Sequence, residues 1–470
     1  MTTSTRLPFN VIDFALPVQK FRIEYTIIGK NSFPFVREFL LRLLNMSSMS
    51  AEVIADYMGF SQKEIRIAVS HMMDLNEIAY SNDGLLSLTP KAVRYFDIGE
   101  NGEPRLTKAE IHRKSFLFDL VSFNYINRNV RLSNPNQALK IHVNAEVRSK
   151  SAKMAEKAFQ QRFYEIYDAG DIGQVTEKGN SKPDIYKISD VTKQRDDFYR
   201  ITQEFSIDVK SGAIDRSTIG EFRTQEDIVT KITETIESSR RGQNIEDVAI
   251  AMEYFKDDFG LAALTFNGLD LQKYLVDLME NKGLSGRSQL FGSLLMTKNW
   301  DRVVADVKKQ LDSLKKANVS VIPKMRWFAP SNAFWGRSVK LREAIDVLLR
   351  LGKKVESKNT DYYDFELLLP VADKSDRPQI GTWRHELRDY RDNMHAYVEG
   401  YFKGNVEVLI LQDCFVFVMY HLVTPGSVIP LPIGFYSNDL SDVTKVDTSL
   451  KSYLNEVTGD FSPKYIGKIF

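Results

Sequence analysis

The sequence predicts a multidomain protein of the α/β class. Its 470 residues exceed the roughly 150 residues of an ordinary domain. Its 43% apolar and 27% charged residues supply enough material for packed cores and exclude disordered and collagen-like classes. Segments with helical spacing of apolar residues alternate with short apolar or alternating runs. We expect domains at 1–105, 106–260 and 261–470.

Charge and cysteine usage indicate an intracellular protein. The chain has 63 Lys and Arg against 62 Asp and Glu, and Cys414 is its single cysteine, which excludes an internal disulfide framework. Residues 1–17 lack the basic-then-apolar pattern of a signal peptide, and the apolar runs are shorter than a membrane helix. We therefore expect a cytoplasmic protein that does not contact a membrane.

Residues 35–96 predict three short helices followed by a β-hairpin. Apolar residues recur at helical spacing from Val36 to Leu44, and Ser50 precedes a second helix at 51–58. The segment from Ser61 to Glu64 is a capping box at the start of a third helix. Two short apolar runs joined by Asn-Asp-Gly, within 78–88, predict the hairpin.

This layout resembles a winged helix, which implies nucleic-acid binding through the third helix, where Lys63, Arg66 and Ser70 lie. Residues 35–96 carry six basic and seven acidic side chains, whereas DNA-binding modules usually present a cationic surface. Docking to a protein partner therefore remains open as an alternative.

The central region predicts a helix, several strands, a second helix and a final strand. The predicted elements are a helix at 144–167, strands at Val175, 185–188 and 198–210, a helix at 217–237 and a strand at 248–255. A polar loop at 189–197 is expected to turn the chain back between two of these strands.

Acidic residues and a lysine in this region suit metal-dependent phosphodiester hydrolysis. The alternation of apolar and polar residues over 198–210 predicts that Asp208 and Lys210 share one face of a strand. Asp184 would supply a second metal ligand, and Glu156 an acid from the preceding helix. The alternative is a half-exposed strand whose outer face is polar because it meets water.

Pro183-Asp184 and Asp208-Val209-Lys210, in this order of elements, resemble the PD-(D/E)xK nuclease superfamily over residues 144–255. The resemblance implies a restriction-endonuclease-like α/β core. It also implies magnesium-dependent cleavage of nucleic acid, with Asp184 and Asp208 as metal ligands and Lys210 and Glu156 as catalytic residues.

A second phosphodiesterase pattern occurs upstream. His112, Lys114 and Asp119 have the H-x-K-x4-D spacing of phospholipase-D-like enzymes, but the Gly-Ser expected after it is absent. We interpret the pattern as coincidental, with the apolar residues from Phe116 to Val121 forming a buried element.

The C-terminal region alternates predicted helices with apolar strands, which predicts an α/β domain whose sheet is covered on both faces. The helices are expected at 271–280, 301–316 and 339–351, and the strands at 319–322, 365–369, 406–411 and 415–421.

Residues 298–354 carry 14 Lys and Arg against 5 Asp and Glu, with aromatic residues among the cations. This composition predicts a groove for DNA or RNA, although the lysines would equally solvate a helix and the tryptophans would equally serve as core residues. The predicted nucleic-acid contacts here and on the third helix are Lys63, Arg66, Lys324, Arg326, Trp327, Arg337 and Lys340.

These observations predict a nucleic-acid-binding protein with Mg²⁺-dependent endonuclease activity of the restriction or phage-defence type. The alternative is a non-enzymatic winged-helix DNA-binding regulator, or a structural subunit of a larger complex. In that case the winged helix or the C-terminal domain would bind a protein partner.

Overall fold

A computed structural model describes residues 6–28, 34–97, 110–127, 129–130, 132, 134–172, 182–217, 225–239, 242–280, 286–317, 322–353, 361–424, 427–457 and 462–470. The chain forms two compact units. Unit 1 consists of Met1–Pro17, Leu132–Val143 and Phe198–Phe470, and unit 2 consists of Val18–Arg131 and Asn144–Asp197. The boundary predicted near residue 105 lies outside the described residues, and the one predicted near 260 falls inside unit 1.

Helices and strands alternate along the described chain, as expected for a mixed α/β protein. The helices are α1 (Pro34–Met46), α2 (Ala51–Met58), α3 (Gln62–Asp74), α4 (Pro90–Asp97), α5 (Ala145–Gln161), α6 (Phe163–Asp168), α7 (Glu226–Ser238), α8 (Ile245–Phe255), α9 (Asp258–Ala263), α10 (Leu271–Met279), α11 (Thr297–Ala317), α12 (Val339–Gly352), α13 (Arg377–Glu386) and α14 (Leu440–Asn455). The strands are β1 (Arg6–Ile28), β2 (Ile78–Tyr80), β3 (Leu86–Leu88), β4 (Glu110–Asp119), β5 (Tyr125–Ile126), β6 (Leu139–Lys140), β7 (Asp184–Asp208), β8 (Ile214–Arg216), β9 (Leu264–Thr265), β10 (Gly268–Leu269), β11 (Arg287–Phe291), β12 (Lys324–Phe328), β13 (Asp364–Val371), β14 (Met394–Val398), β15 (Val406–Leu411), β16 (Phe415–Leu422), β17 (Leu431–Ser437) and β18 (Tyr465–Lys468).

The N-terminal helices and hairpin form where the sequence predicts them. The Ser61 hydroxyl accepts from the Glu64 amide, and the Glu64 carboxylate accepts from the Ser61 amide, so the capping box of α3 is confirmed. Gly59, at φ 69°, ends α2 in the left-handed region that favours glycine. β2 and β3 pair in antiparallel fashion, and α4 follows the hairpin as an additional helix.

A single apolar core holds this module of α1 to α4 together. The buried side chains include Leu40, Ile54, Ile65, Val69 and Ile78. The spacing of Ile65, Val69 and Met72 turns one face of α3 into the core and leaves the opposite face exposed.

In the remainder of unit 2, β4 pairs with the second half of β1, from Val18 opposite Asp119 to Ile27 opposite Glu110. One face of this pair carries Tyr25 and Phe116, whose rings pack on Phe159 of α5 with ring centroids 4.9 Å apart in each case. The helix predicted from residue 144 therefore packs on this pair of strands through Phe159.

Unit 1 contains a sheet with eight described strands in the order β11-β17-β16-β15-β12-β13-β14-β18. β12, β13 and β14 run parallel, and the other neighbouring pairs are antiparallel. Every residue of β15, β16 and β17 is buried, so their continuous apolar runs reflect a sheet covered on both faces.

Two predictions for the central region are wrong. The segment 248–255 lies in helix α8, where Val248, Ala251, Met252 and Phe255 are buried at helical spacing. Residues 189–197 are not a loop but the middle of β7. Two polar side chains of this stretch form hydrogen bonds with other strands of the sheet. Gln194 accepts from Ser115 of β4, and Asp196 accepts from Gln19 of β1. The predicted strand at Val175 and most of the one at 319–322 lie outside the described residues.

A buried carboxylate joins three segments of unit 1. Asp13 on β1 is fully buried, and its Oδ2 accepts from Arg200 Nη1 at 2.7 Å and from the Val339 amide at 2.8 Å. Its Oδ1 accepts from the Thr202 hydroxyl at 2.7 Å. Asp13 therefore fixes β1, the last part of β7 and the start of α12 to one another.

Replacing Asp13 by alanine should lower the free energy of unfolding by about 3–5 kcal/mol, because the hydrogen bonds that Arg200, Thr202 and Val339 donate to this buried carboxylate would be lost. Urea denaturation followed by circular dichroism measures this change. Arg6→Ala, which breaks the exposed ion pair between Arg6 and Asp215, is the matched control and should cost less than about 1 kcal/mol. Equal losses for the two variants would contradict the role given to Asp13.

Candidate functional site

Asp208 and Lys210 do not lie on one face of a strand, because β7 ends at Asp208 and Lys210 belongs to the turn that follows. The Asp208 Oδ1 atom accepts from the Lys210 amide at 3.1 Å, the Ser211 amide at 2.8 Å and the Ser211 hydroxyl at 2.9 Å. This carboxylate closes the turn into β8. The prediction of a shared strand face was wrong because the alternation of the sequence continues past the point where pairing stops.

The other two predicted nuclease residues are held in separate local contacts. Asp184 begins β7 and accepts a hydrogen bond from the Tyr164 hydroxyl of α6. Glu156 is exposed on α5. Because β7 runs unbroken from Asp184 to Asp208, the hairpin expected to return the chain between these two acids does not form.

The predicted Mg²⁺ ligands Asp184 and Asp208 belong to unit 2 and unit 1, respectively. A magnesium site needs several oxygen ligands converging on one point. Within the ranges that the structure describes, no three side chains of His, Cys, Asp or Glu are grouped so that they could hold a metal ion.

The second phosphodiesterase pattern also consists of residues with structural contacts. The Asp119 carboxylate accepts from the amides of Val121, Ser122 and Asn124 and closes the turn between β4 and β5. The Lys114 ammonium donates to the Asp171 carbonyl. These contacts agree with the interpretation of the pattern as coincidental.

Several cations of the basic segment are paired with carboxylates inside unit 1. Arg326 donates to Glu366 at 2.9 Å and to Asp447 at 3.3 Å, and Lys324 pairs with the same Glu366. The Glu366 side chain is only 7% exposed, and hydrogen bonds from Lys324 and Arg326 outweigh burial and hold the pKa of its carboxyl below the ordinary value.

The expected base-stacking role of Trp327 is wrong, because its ring is fully buried and its Nε1 donates to Glu407 at 2.8 Å. Arg337 is also engaged, since its Nη1 lies 3.0 and 2.9 Å from the two oxygens of Glu386. Lys340 is half-buried on α12. The aromatic residues of this segment are thus core residues, which was the alternative to a nucleic-acid groove.

The residues of α3 that the sequence predicts to contact nucleic acid lie on its exposed face. Lys63, Arg66 and Ser70, which we call the α3 surface, are exposed and follow one another at helical spacing. The Arg66 Nε donates to the Gln62 carbonyl at 3.1 Å, which orients the guanidinium along the helix. No carboxylate among the described residues forms an ion pair with Lys63 or Arg66.

A buried polar chain that the sequence did not predict lies where β12, β15 and β16 meet. His421 Nε2 is 2.9 Å from Glu407 Oε2, and Asn332 Nδ2 is 3.0 Å from His421 Nδ1. The Glu407 and His421 side chains are 1% and 5% exposed. The only signal in the sequence is a polar residue interrupting each of two otherwise apolar strands.

Another buried acid, Asp257, lies at the start of α9. Asp257 is 1% exposed, and its Oδ1 accepts from the Gly260 amide at 3.2 Å and from Gln289 Nε2 at 3.1 Å. Burial raises the pKa of the Asp257 carboxyl to about 6.

No protein-family model, no curated protein and no solved structure matches this chain. In the part of the chain that the structure describes, no helix is long and apolar enough to cross a membrane. Its function is therefore inferred from its own surfaces and contacts.

Asp257→Asn should flatten the dependence of stability on pH. The folded pKa of Asp257 exceeds its ordinary value of 3.8, so the folded state binds more protons between pH 3.8 and about 6, and stability falls as the pH rises through that window. The variant should be more stable than wild type at pH 7.5 by up to about 3 kcal/mol and similar at pH 4.

Urea denaturation at several pH values between 4 and 7.5 measures this effect. Asp258→Asn is the control, because Asp258 is the adjacent acid and is exposed. If both variants kept the wild-type profile, burial of Asp257 would not be the cause of the pH dependence.

Proposed function

We propose that this chain is a DNA-binding protein that docks duplex DNA against the α3 surface and does not cut it. The observation that carries the proposal is that Lys63, Arg66 and Ser70 project together from a helix whose opposite face is fixed in a core. A helix held in this way suits the major groove of DNA, which is wide enough to accept it.

The contacts in the N-terminal module support a rigid recognition element. The capping box fixes the start of α3, and the buried Ile65, Val69 and Met72 prevent its rotation. The β2-β3 hairpin beside it turns at Gly84, whose φ of 74° suits glycine. Binding would therefore not require the helix to form or reorient.

Charge limits the expected affinity. Two unpaired cations on α3 would displace about two counterions from the phosphates, so binding should be moderate and should weaken with added salt. Arg326 and Arg337 of the basic segment are already paired with carboxylates and are left out of this estimate.

The arrangement of the predicted nuclease residues supports binding over cleavage. Asp208 closes a turn, Lys210 lies in that turn, and Asp184 contacts Tyr164 at the other end of β7. The proposal therefore assigns no catalytic step to these residues.

Reversing both charges on α3, in Lys63→Glu with Arg66→Glu, should weaken binding to duplex DNA by at least about tenfold at 50 mM salt. The slope of log K against log salt concentration should become shallower by about 1.8, or about 0.9 for each lost phosphate contact. Fluorescence anisotropy with a labelled duplex measures both quantities.

Arg94→Glu is the control for net charge, because Arg94 is an exposed cation of the same module on α4. It should leave the salt slope close to that of wild type. An unchanged affinity in the double variant would remove the α3 surface from the proposal.

Supercoiled plasmid DNA incubated with Mg²⁺ should stay uncut by wild type and by Lys210→Ala alike, because the proposal gives the Lys210 ammonium no catalytic role. The variant should also keep the turn, since the Lys210 contact in it is made by the backbone amide. Gel electrophoresis of the plasmid measures this outcome. Cleavage by wild type that is lost in Lys210→Ala would instead support the nuclease function.

One observation favours a protein partner for the same module. Val53, Tyr57, Ile67 and Tyr80 are each more than half exposed. If the protein binds no duplex DNA in the anisotropy experiment, this apolar surface would make the module a docking site in a larger complex.

A further inference from the structure

His421 is surrounded by groups that fix which of its nitrogens carries a proton. Glu407 Oε1 accepts from Trp327 Nε1, and Glu407 Oε2 lies 2.9 Å from His421 Nε2. A carboxylate can only accept, so the Nε2 atom of His421 is the donor in this contact. The hydrogen of the neutral imidazole is therefore on Nε2.

The orientation of Asn332 is fixed independently by the backbone. Its Oδ1 accepts from the amides of Phe334 and Trp335, each at 2.8 Å. Its Nδ2 is therefore the atom that faces His421 Nδ1 at 3.0 Å, and it donates to that nitrogen. The two assignments agree, since Nδ1 of the neutral ring is an acceptor.

Protonation of His421 would place two donors opposite each other. An N–H on Nδ1 would point at the amide group of Asn332, which presents only N–H bonds to it. Asn332 would relieve the conflict by rotating its amide so that Oδ1 accepts from the imidazolium. This rotation would take Oδ1 away from the amides of Phe334 and Trp335.

Those two amides belong to the segment 330–338, which connects β12 to α12 and which we call the cap loop. Beside the cap loop lies a cavity of about 10 Å³, about the room that one water molecule needs. Its lining includes Asn332, Trp335 and His421, together with Asn10 and Ser293. The cavity is at the carboxyl end of β12, the edge where α/β sheets commonly bind ligands.

We propose that His421 is a pH-sensitive latch for the cap loop: protonation of its imidazole turns Asn332, releases the loop and enlarges the cavity at the carboxyl end of β12. The groups that face His421 support this role. β15 contributes Glu407, the only charged or titratable side chain among the described contacts of the ring, and β17 places Pro432 opposite His421. β12 contributes Trp327, the cap loop contributes Asn332, and β1 contributes Asn10 and Val11 to the cavity wall.

The test is hydrogen–deuterium exchange of the full-length protein at pH 8 and pH 5.5, the interval in which histidine commonly changes charge. After correction for the intrinsic pH dependence of exchange, the amides of Phe334 and Trp335 should exchange about tenfold faster at pH 5.5. Peptides from β15 serve as the internal control and should exchange equally at both pH values, because a general acid unfolding would affect them as well.

Two variants separate the latch from other acid effects. In His421→Gln, the amide nitrogen and oxygen replace the two ring nitrogens as donor and acceptor but do not titrate, so the cap loop should exchange at the same rate at both pH values. In Asn332→Asp, one carboxylate oxygen accepts from the backbone amides and the other accepts from the imidazolium, so the pH response should also disappear.

The proposal is overturned if the wild-type cap loop exchanges equally at both pH values, or if His421→Gln keeps the acid response. Should His421→Gln fail to fold by circular dichroism, Asn332→Asp decides the question. A wild-type response that persists in Asn332→Asp would show that loop release does not pass through Asn332.

Discussion

The unbroken course of β7 is the constraint on which the chemistry of this chain depends. A strand of 25 residues keeps its ends apart, so acids placed at the two ends meet different partners. Asp184 is held by a tyrosine and Asp208 by the amides of a turn. In the polar middle of this strand, Gln194 accepts a hydrogen bond from Ser115 of β4 and Asp196 accepts one from Gln19 of β1. Each of the two acids is thus engaged in a local contact at its own end of the strand.

Several charged residues of the basic segment form ion pairs inside unit 1. The segment with an excess of nine cations directs Arg326 toward Glu366 and Asp447, and Arg337 toward Glu386. The partners come from distant parts of the sequence, so a local count of charges overstates the positive potential of the surface. On α3 the reverse holds, because a module with a net charge of −1 exposes two cations that lack a carboxylate partner among the described residues.

Local signals predicted much of the fold. Three elements were predicted from local patterns without tertiary information. They are the helix that begins after the capping box at Ser61, the helix that begins near residue 144 and the strand from Val406 to Leu411. The prediction of a strand at 248–255 was wrong. A short apolar run fits a strand and a buried helix equally well, and in the structure this run forms a helix with one buried face. Of the candidate site, the exposed residues of α3 were predictable from helical spacing. The contact between Glu407 and His421 was not, because it depends on the register of β15 against β16, in which Glu407 lies opposite Met419.

The pairing of Ile27 with Glu110 has a consequence for the modular construction of the chain. These residues close one end of the antiparallel ladder of β1 and β4, and the helices α1 to α4 all lie between them in sequence. The winged-helix-like segment is therefore inserted where an ordinary hairpin would need only a short turn. Such a topology allows the module of α1 to α4 to be exchanged for another while both strands of the receiving hairpin keep their register.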